Sequence, residues 1–251
     1  MLIDIHCHMN LYLIPEDIIS DARQVGVEKI IAVAMSALSQ KRILELSEKF
    51  DAVYPALGIH PQEVQENKNI HKELDEIIDF ITIHSEKLCA IGEIGMDHYF
   101  VKDNTLWPLQ EKIFKTMLEL AQKFKLPVNL HVKGAEKEVF EILPAYNLPN
   151  VNIHWYSGPQ DLVKTGLDRA YFFSVTPAIE YSPPVKKTVE LCDSSNLLLE
   201  SDGPVRYRNQ TGTPSMIPGV LNQISKIKKI PINDLKSQIL ENTKKIFPKI
   251  F

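Results

Sequence analysis

Short apolar, β-branched runs alternate with longer amphipathic segments along all 251 residues, and that alternation leaves few architectures open. Strands separated by helices pair in parallel, since a helix-length crossover is needed to bring the chain back to the same end of a sheet. Eight runs read as strands: Leu2–His6, Lys29–Ala34, Val53–Ile59, Leu88–Ile94, Pro127–Val132, Val151–His154, Tyr171–Val175 and Asn196–Ser201. Among the helical stretches, Leu109–Phe124 is the clearest, with Ile113, Met117, Leu120, Ala121 and Phe124 recurring on one face. Two further helices are expected at Met216–Lys228 and Ile232–Phe247, the second capped by Asn233 and Asp234. Eight βα units in a chain of this length predict an α/β fold, a (β/α)8 TIM barrel forming a single domain over residues 1–251. No repeat or flexible linker divides the chain. The segment Pro204–Pro218, rich in Pro, Gly, Thr and Arg, reads as a long loop after the last strand.

Composition excludes several classes of function. The formal net charge of −4 gives no general attraction to nucleic acid, so such binding would need a local basic patch. The small basic run of Lys226, Lys228 and Lys229 reads instead as a solvated helix face. Cys7, Cys89 and Cys192 form no CxxC pair and are too scattered for a disulfide framework; they read as buried thiols in a reducing compartment. There is no signal-peptide pattern and no apolar run of membrane-spanning length, so the expected location is the cytoplasm, with no membrane and no protein partner.

The chemistry sits at the strand ends. His6 and His8 are two apart, so they leave the same face of an extended chain. Glu93 stands at the end of the fourth run, His131 the fifth, His154 the sixth and Asp202 the eighth, and in a parallel barrel these ends meet at the C-terminal mouth. Imidazoles mixed with carboxylates suit one or two divalent ions such as Mg²⁺, Mn²⁺ or Zn²⁺ better than a thiolate zinc site. Asp202 and Glu93 are the expected catalytic carboxylates, Asp202 exchanging a proton with a metal-activated hydroxide and its leaving group. His60 lies at the end of the third run on the same mouth, where it can support a ligand. Asp97 and His98 follow Glu93 closely and are candidates to orient a ligand or touch substrate. His71 and His84 fall in helical stretches and read as surface residues.

The segments DIHCH (Asp4–His8), GIHP (Gly58–Pro61), IGEIGMD (Ile91–Asp97), LPVNLH (Leu126–His131), IHWYSG (Ile153–Gly158) and LLLESDGP (Leu197–Pro204) stand in order at barrel-strand spacing. Together they resemble the TatD family of metal-dependent deoxyribonucleases, within the amidohydrolase superfamily, from Asp4 to about Phe247. The resemblance implies that His6, His8, Glu93 and Asp202 surround one metal, that Glu93, His131 and His154 surround a second, and that Glu93 bridges them. It also implies a nuclease cleaving phosphodiester bonds of DNA or RNA, on single strands or at ends.

Four places depart from the family's usual pattern. Val132-Lys133-Gly134-Ala135 stands where Ser-Arg-Asp-Ala is usual, Asn10 where Asp is common, Trp155 where a small residue is common, and Gly203 where Ala is common. Lys133 is a point charge in place of an Arg fork, which alters how a phosphate is gripped. Lys133, Arg206 and His60 are the expected substrate contacts, with Tyr99, Phe100, Trp155, Tyr156, Tyr207 and Arg208 around them as base-stacking aromatics and further cations. Two alternatives stand beside the nuclease: a hydrolase of a small ester, lactone or amide on the same scaffold, and a non-catalytic metal-binding or scaffold protein.

Overall fold

Each expected apolar run becomes a strand followed by a helix. In the computed structural model, which describes residues 1–251, the strands are β1 (Leu2–Cys7), β2 (Val27–Val33), β3 (Val53–Leu57), β4 (Ala90–Asp97), β5 (Val128–Lys133), β6 (Val151–Ile153), β7 (Phe172–Val175) and β8 (Leu197–Leu199). All eight lie in one sheet in chain order, and every neighbouring pair is parallel. The crossovers are α1 (Pro15–Gln24), α2 (Ala37–Lys49), α3 (Glu63–Glu66) with α4 (Ile70–His84), α5 (Trp107–Phe124), α6 (Glu136–Ile142), α7 (Gln160–Asp168) and α8 (Pro183–Leu191). After β8 comes a small hairpin, β9 (Arg206–Tyr207) with β10 (Gln210–Thr211), then α9 (Ile217–Lys228) and α10 (Ile232–Ile246). No helix is long and apolar enough to cross a membrane.

The barrel closes between β8 and β1 through the loop that follows β8. Asp202 N–H donates to the His6 carbonyl at 2.9 Å, and His8 N–H donates to the Gly203 carbonyl at 2.8 Å. The Asp4 carboxylate accepts from the amides of His6 (3.2 Å) and Ser201 (2.9 Å), tying the same two edges together.

Two apolar layers hold the structure. The helix-facing layer includes the α5 stripe of Ile113, Met117, Leu120 and Ala121, and α5 stops where Lys125 turns left-handed at φ 54°. The inner layer fills the floor of the barrel with Ile3, Ile5, Ile31, Val33, Phe172 and Leu198, sealed by Phe247 and Ile250. Cys7, Cys89 and Cys192 are all buried and unpaired.

Boundaries shift where local geometry overrides the pattern. Helix α10 opens on Pro231, with Asp234 in its first turn, so Asn233 and Asp234 do not cap it. The fourth strand runs on to Asp97, and Glu93 lies in its middle instead of at its end. Between Ile91 and Ile94, β4 carries one residue more than β5, since Ile91 pairs with Val128 and Ile94 with Leu130. A similar extra residue occurs in β1, where Asp4 pairs with Ile30 and Cys7 with Ala32. Such bulges re-aim the side chains within them, and these two contain Glu93 and His6.

Gly95 allows β4 to pass close to β5. Its φ is +148°, and a Cβ there would stand 1.8 Å from the His131 carbonyl oxygen. Gly95→Ala must therefore push the two strands apart, and the expected cost is about 3 kcal/mol of stability. Chemical denaturation measures it, and a loss below about 0.5 kcal/mol, the range of a neutral surface change, would contradict the close approach.

Candidate metal centre

The two bulged strands and four other strand ends bring five histidines and two carboxylates together at the mouth. His6, His8, His60, His154, Glu93 and Asp202 are all buried, and His131 is nearly so. The side chains divide into two overlapping donor sets, and Glu93 divides with them. Glu93 Oε2 lies 3.4 Å from His6 Nε2 and 3.5 Å from His8 Nε2. Asp202 Oδ1 lies 3.4 Å and 3.3 Å from the same two nitrogens. Glu93 Oε1 faces the other way, 2.9 Å from His131 Nδ1, 3.4 Å from His60 Nε2 and 4.0 Å from His154 Nε2. Asp202 Oδ2 is 3.7 Å from His154 Nε2.

Three observations test whether these residues suit divalent metal ions. Donors bound at about 2.1 Å in a tetrahedron stand about 3.4 Å apart, and the four cross-distances of the first set centre on that value. His6 Nε2 is buried with no hydrogen-bond partner in the protein. Three of the four expected histidine ligands also turn their other nitrogen to a hydrogen-bond acceptor that fixes the tautomer. His6 Nδ1 lies 3.2 Å from Asn129 Oδ1, and Asn129 is itself oriented by donating to the Ile5 carbonyl at 3.0 Å. His8 Nδ1 donates to the Val33 carbonyl at 3.3 Å, and His131 Nε2 to Asp97 Oδ2 at 2.8 Å. His154 Nδ1 is 2.9 Å from Glu200 Oε1, a close contact that is not aligned as a hydrogen bond. The donor set therefore fits divalent cations, with the second set looser than the first.

Electrostatics point the same way. Burial works against protonating His6, but the Glu93, Asp202 and Glu200 carboxylates outweigh it and raise His6 to about 10. Burial and the stacked ring of His6, 3.8 Å away, lower His154 to about 3. Burial opposes ionisation of Glu93, yet His60, His6 and His131 hold it well below the usual carboxylate range. The mouth holds negative charge that attracts positive charge.

His60 sits among the donors of the second set. Its Nδ1 accepts from the Gln62 amide at 3.2 Å, so in the neutral ring the proton lies on Nε2, facing Glu93. Asp97 holds His131 and accepts from the amides of Tyr99 (2.8 Å) and Phe100 (2.7 Å), fixing the loop that carries both aromatics. His98 instead stacks on Trp107, with centroids 3.8 Å apart, outside the mouth. His71 is exposed, whereas His84 is half-buried and bonds the Phe80 carbonyl at 2.8 Å.

The mouth opens into a cavity of about 750 Å³ lined by Tyr99, Phe100, Lys133, Trp155 and Tyr181 among others. Lys133 Nζ donates to Ser157 Oγ at 2.9 Å and lies 5.5 Å from the Tyr99 ring. Arg206 is exposed on β9 and does not line this cavity. Tyr156 is not at the mouth: it is buried, and its hydroxyl donates to the Pro159 carbonyl at 2.7 Å. Tyr207 is buried too, donating to the Ser201 carbonyl at 2.7 Å. Lys228 donates to the Cys192 carbonyl at 2.6 Å, so the late basic run is partly tied down.

One departure from the usual pattern, Gly203, has a local reason. A Cβ on Gly203 would meet the Tyr12 hydroxyl at 2.0 Å, and that hydroxyl donates to the Gly212 carbonyl at 2.6 Å, so Ala does not fit here. Trp155 takes a left-handed φ of 39°, a conformation rare for a bulky residue, and its amide donates to Glu200 Oε1 at 2.9 Å. Asp202 is also left-handed, at φ 47°. Nothing in the structure explains Asn10, whose buried Oδ1 has no partner.

The profile of the TatD related DNase family matches residues 3–248. The chain belongs to this family. Deoxyribonuclease TATDN3 of Homo sapiens is 27% identical over 99% of the chain and 95% of its own length. An uncharacterized metal-dependent hydrolase of Methanocaldococcus jannaschii is 30% identical over 98% of the chain and 97% of its own length. The crystal structure of YJJV, a TatD homologue from Escherichia coli K12, superimposes with a TM-score of 0.88 at 26% identity, covering 98% of both chains. The chain is accordingly a metal-dependent hydrolase of the nuclease type, acting on ester bonds.

Sequence reasoning missed the layer beneath the ligands. Asn129 and Asn152 each stand two residues before a mouth histidine in the parallel tetrapeptides Val128–His131 and Val151–His154. Asn152 donates to Asn129 Oδ1 at 3.2 Å and to Ser174 Oγ at 2.9 Å. The doubled V-N-[LI]-H pattern was a usable signal for this layer. Glu200 was missed as well; burial pushes it up to about 7. Glu200→Ala leaves the part-buried Trp155 amide without its acceptor and is expected to cost about 2 kcal/mol of stability, whereas Glu200→Gln keeps an acceptor oxygen and costs under about 1 kcal/mol. Urea denaturation of both variants separates the cases, and equal losses would remove Glu200 as the anchor of Trp155.

Proposed function

We propose that this protein hydrolyses phosphodiester bonds of DNA, at or near the end of a single strand, with two divalent ions held at the mouth of the barrel. The observation that carries this reading is the split of Glu93, whose two oxygens face two separate donor sets. In this assignment His6, His8, Glu93 and Asp202 hold the first ion, and Glu93, His131 and His154 hold the second. Mn²⁺ or Mg²⁺ suits the carboxylate share of the donors, and Zn²⁺ the imidazole share. Such ions, when bound, supply an activated water at neutral pH and offset the charge that builds on the phosphoryl oxygens.

The remaining work falls to the chain itself. Asp202, presented to the mouth by its left-handed backbone, accepts the proton of the attacking water and returns it to the leaving oxygen. Glu93 stays ionised between the two donor sets. Lys133, with Ser157 beside it, holds a phosphate as a point charge. His60 donates from Nε2 toward Glu93 and faces the cavity, where it steadies the bridge or meets substrate. Tyr99, Phe100 and Trp155 offer π-faces to the terminal bases, a mode of binding that tolerates any sequence and RNA as well as DNA. The three buried, unpaired cysteines fit a reducing compartment, and we assign the protein to the cytoplasm.

Asp202→Asn is expected to lower kcat on an oligonucleotide by about 10²–10⁴ with Mn²⁺ or Mg²⁺ present. Full activity in this variant, or in His6→Ala, would sink the assignment. Stripping metal should abolish hydrolysis, and re-adding it at about 1,000 times Kd should return about 4 kcal/mol of stability, read as a rise in Tm. A protein whose Tm ignores metal would be a scaffold and not this enzyme.

A further inference from the structure

Beside the mouth lies a second cavity of about 420 Å³, walled by Tyr181, Tyr207, Arg208, Asn209, Gln210 and Ser215 among others. Tyr181 lines both cavities, and the turn Pro177–Glu180 also contributes to both, with Ala178 in the mouth and Pro177 and Glu180 in the neighbour. The two spaces thus adjoin across one aromatic ring. The second cavity is anchored to the metal-bearing loop, since Tyr207 donates to the carbonyl of Ser201, next to Asp202.

The charge in this wall is unspent. The chain has five arginines. Arg23 pairs with Asp51, Arg42 with Glu45, and Arg169 donates to the Phe140 carbonyl. Arg206 and Arg208 make no ion pair; Arg208 lines the second cavity, whereas Arg206 lines neither it nor the mouth. Its guanidinium lies 4.8 Å from the centre of the Tyr181 ring, and its backbone is left-handed at φ 53°. Stacking on an aromatic face leaves the guanidinium's in-plane donors free for an anion. In a protein of net charge −4, an unpaired cation beside the reaction site is a specific device, not a general field.

We infer that this cavity is a subsite for the nucleotide next to the one being cleaved, with Arg208 gripping the following phosphate of a single strand as it passes over Tyr181. Glu180, exposed on the same wall, repels phosphate and suits the amino edge of a base, so the phosphate belongs on the Arg208 side. The inference rests on the nuclease reading of the mouth. It makes the enzyme prefer chains of two or more nucleotides over single-nucleotide esters.

The test compares the Mn²⁺-loaded full chain on thymidine 5′-p-nitrophenyl phosphate and on a ten-residue oligothymidylate. Arg208→Ala should raise KM for the oligothymidylate about tenfold with kcat unchanged, and leave the small ester unaffected. The slope of log(1/KM) against log salt should fall by about 0.7, the value for one lost phosphate contact on a single strand. Arg208→Asn, a residue type that tolerates the left-handed backbone, should behave as Arg208→Ala, and Arg208→Lys should recover part of the affinity. If the parent cleaves oligothymidylate and Arg208→Ala and Arg208→Asn leave its KM and salt slope unchanged, the subsite is wrong and the nuclease reading stands. Equal effects on both substrates would place Arg208 at the cleavage point and also overturn the subsite. If the parent cleaves neither phosphodiester, the nuclease reading fails and the subsite with it.

Discussion

Glu93 is 2% exposed and must hold its charge without water, and most of what surrounds it answers that requirement. An ionised carboxylate taken out of solvent costs several kcal/mol unless charged or hydrogen-bonding groups replace the lost hydration. Here the replacement is a ring of imidazoles from β1, β3, β5 and β6 and the loops that follow them. No single strand could supply that ring. The requirement therefore explains why the mouth draws on so many strands, and why removing one donor would leave the others with unbalanced charge.

Beneath the ionisable ring the barrel is graded. Asn129, Asn152 and Ser174 form an amide and hydroxyl layer, and below them Ile3, Ile5, Ile31, Val33, Phe172 and Leu198 form an apolar floor. The floor contributes stability by burying apolar surface. The middle layer does something the floor cannot: it tells His6 which nitrogen carries its proton. Asp97 does the same for His131 from the side, and through its other oxygen it also sets the loop bearing Tyr99 and Phe100. Ligand geometry and substrate platform are thus held by one carboxylate.

The barrel was legible because parallel strands buried on both faces must read as apolar runs, and helices between them as stripes. The six proposed ligands were legible because imidazole and carboxylate at the edges of such runs have no simpler use. The bulges were not, since Ile91-Gly92-Glu93-Ile94 reads equally well as a strand ending at Glu93 or passing through it; only the pairing with β5 decides. Glu200 was hidden because it follows an apolar run directly and resembles a polar strand end facing solvent, whereas its contact with the Trp155 amide lies 45 residues away. Tyr156 and Arg206 illustrate the same limit at the rim. Nothing in their neighbourhood in sequence tells which way a loop turns, and the structure buries the first and leaves the second exposed, off the lining of the mouth cavity.

A crystal structure of the protein with Mn²⁺, located by anomalous scattering, tests the central claim most directly. The account predicts two ions about 3.5–4 Å apart, with one Glu93 oxygen on each, His6, His8 and Asp202 completing the first, and Asn129 and Asp97 still holding the far nitrogens of His6 and His131. A single ion that Glu93 does not touch, or no ion in the mouth at saturating Mn²⁺, would contradict it.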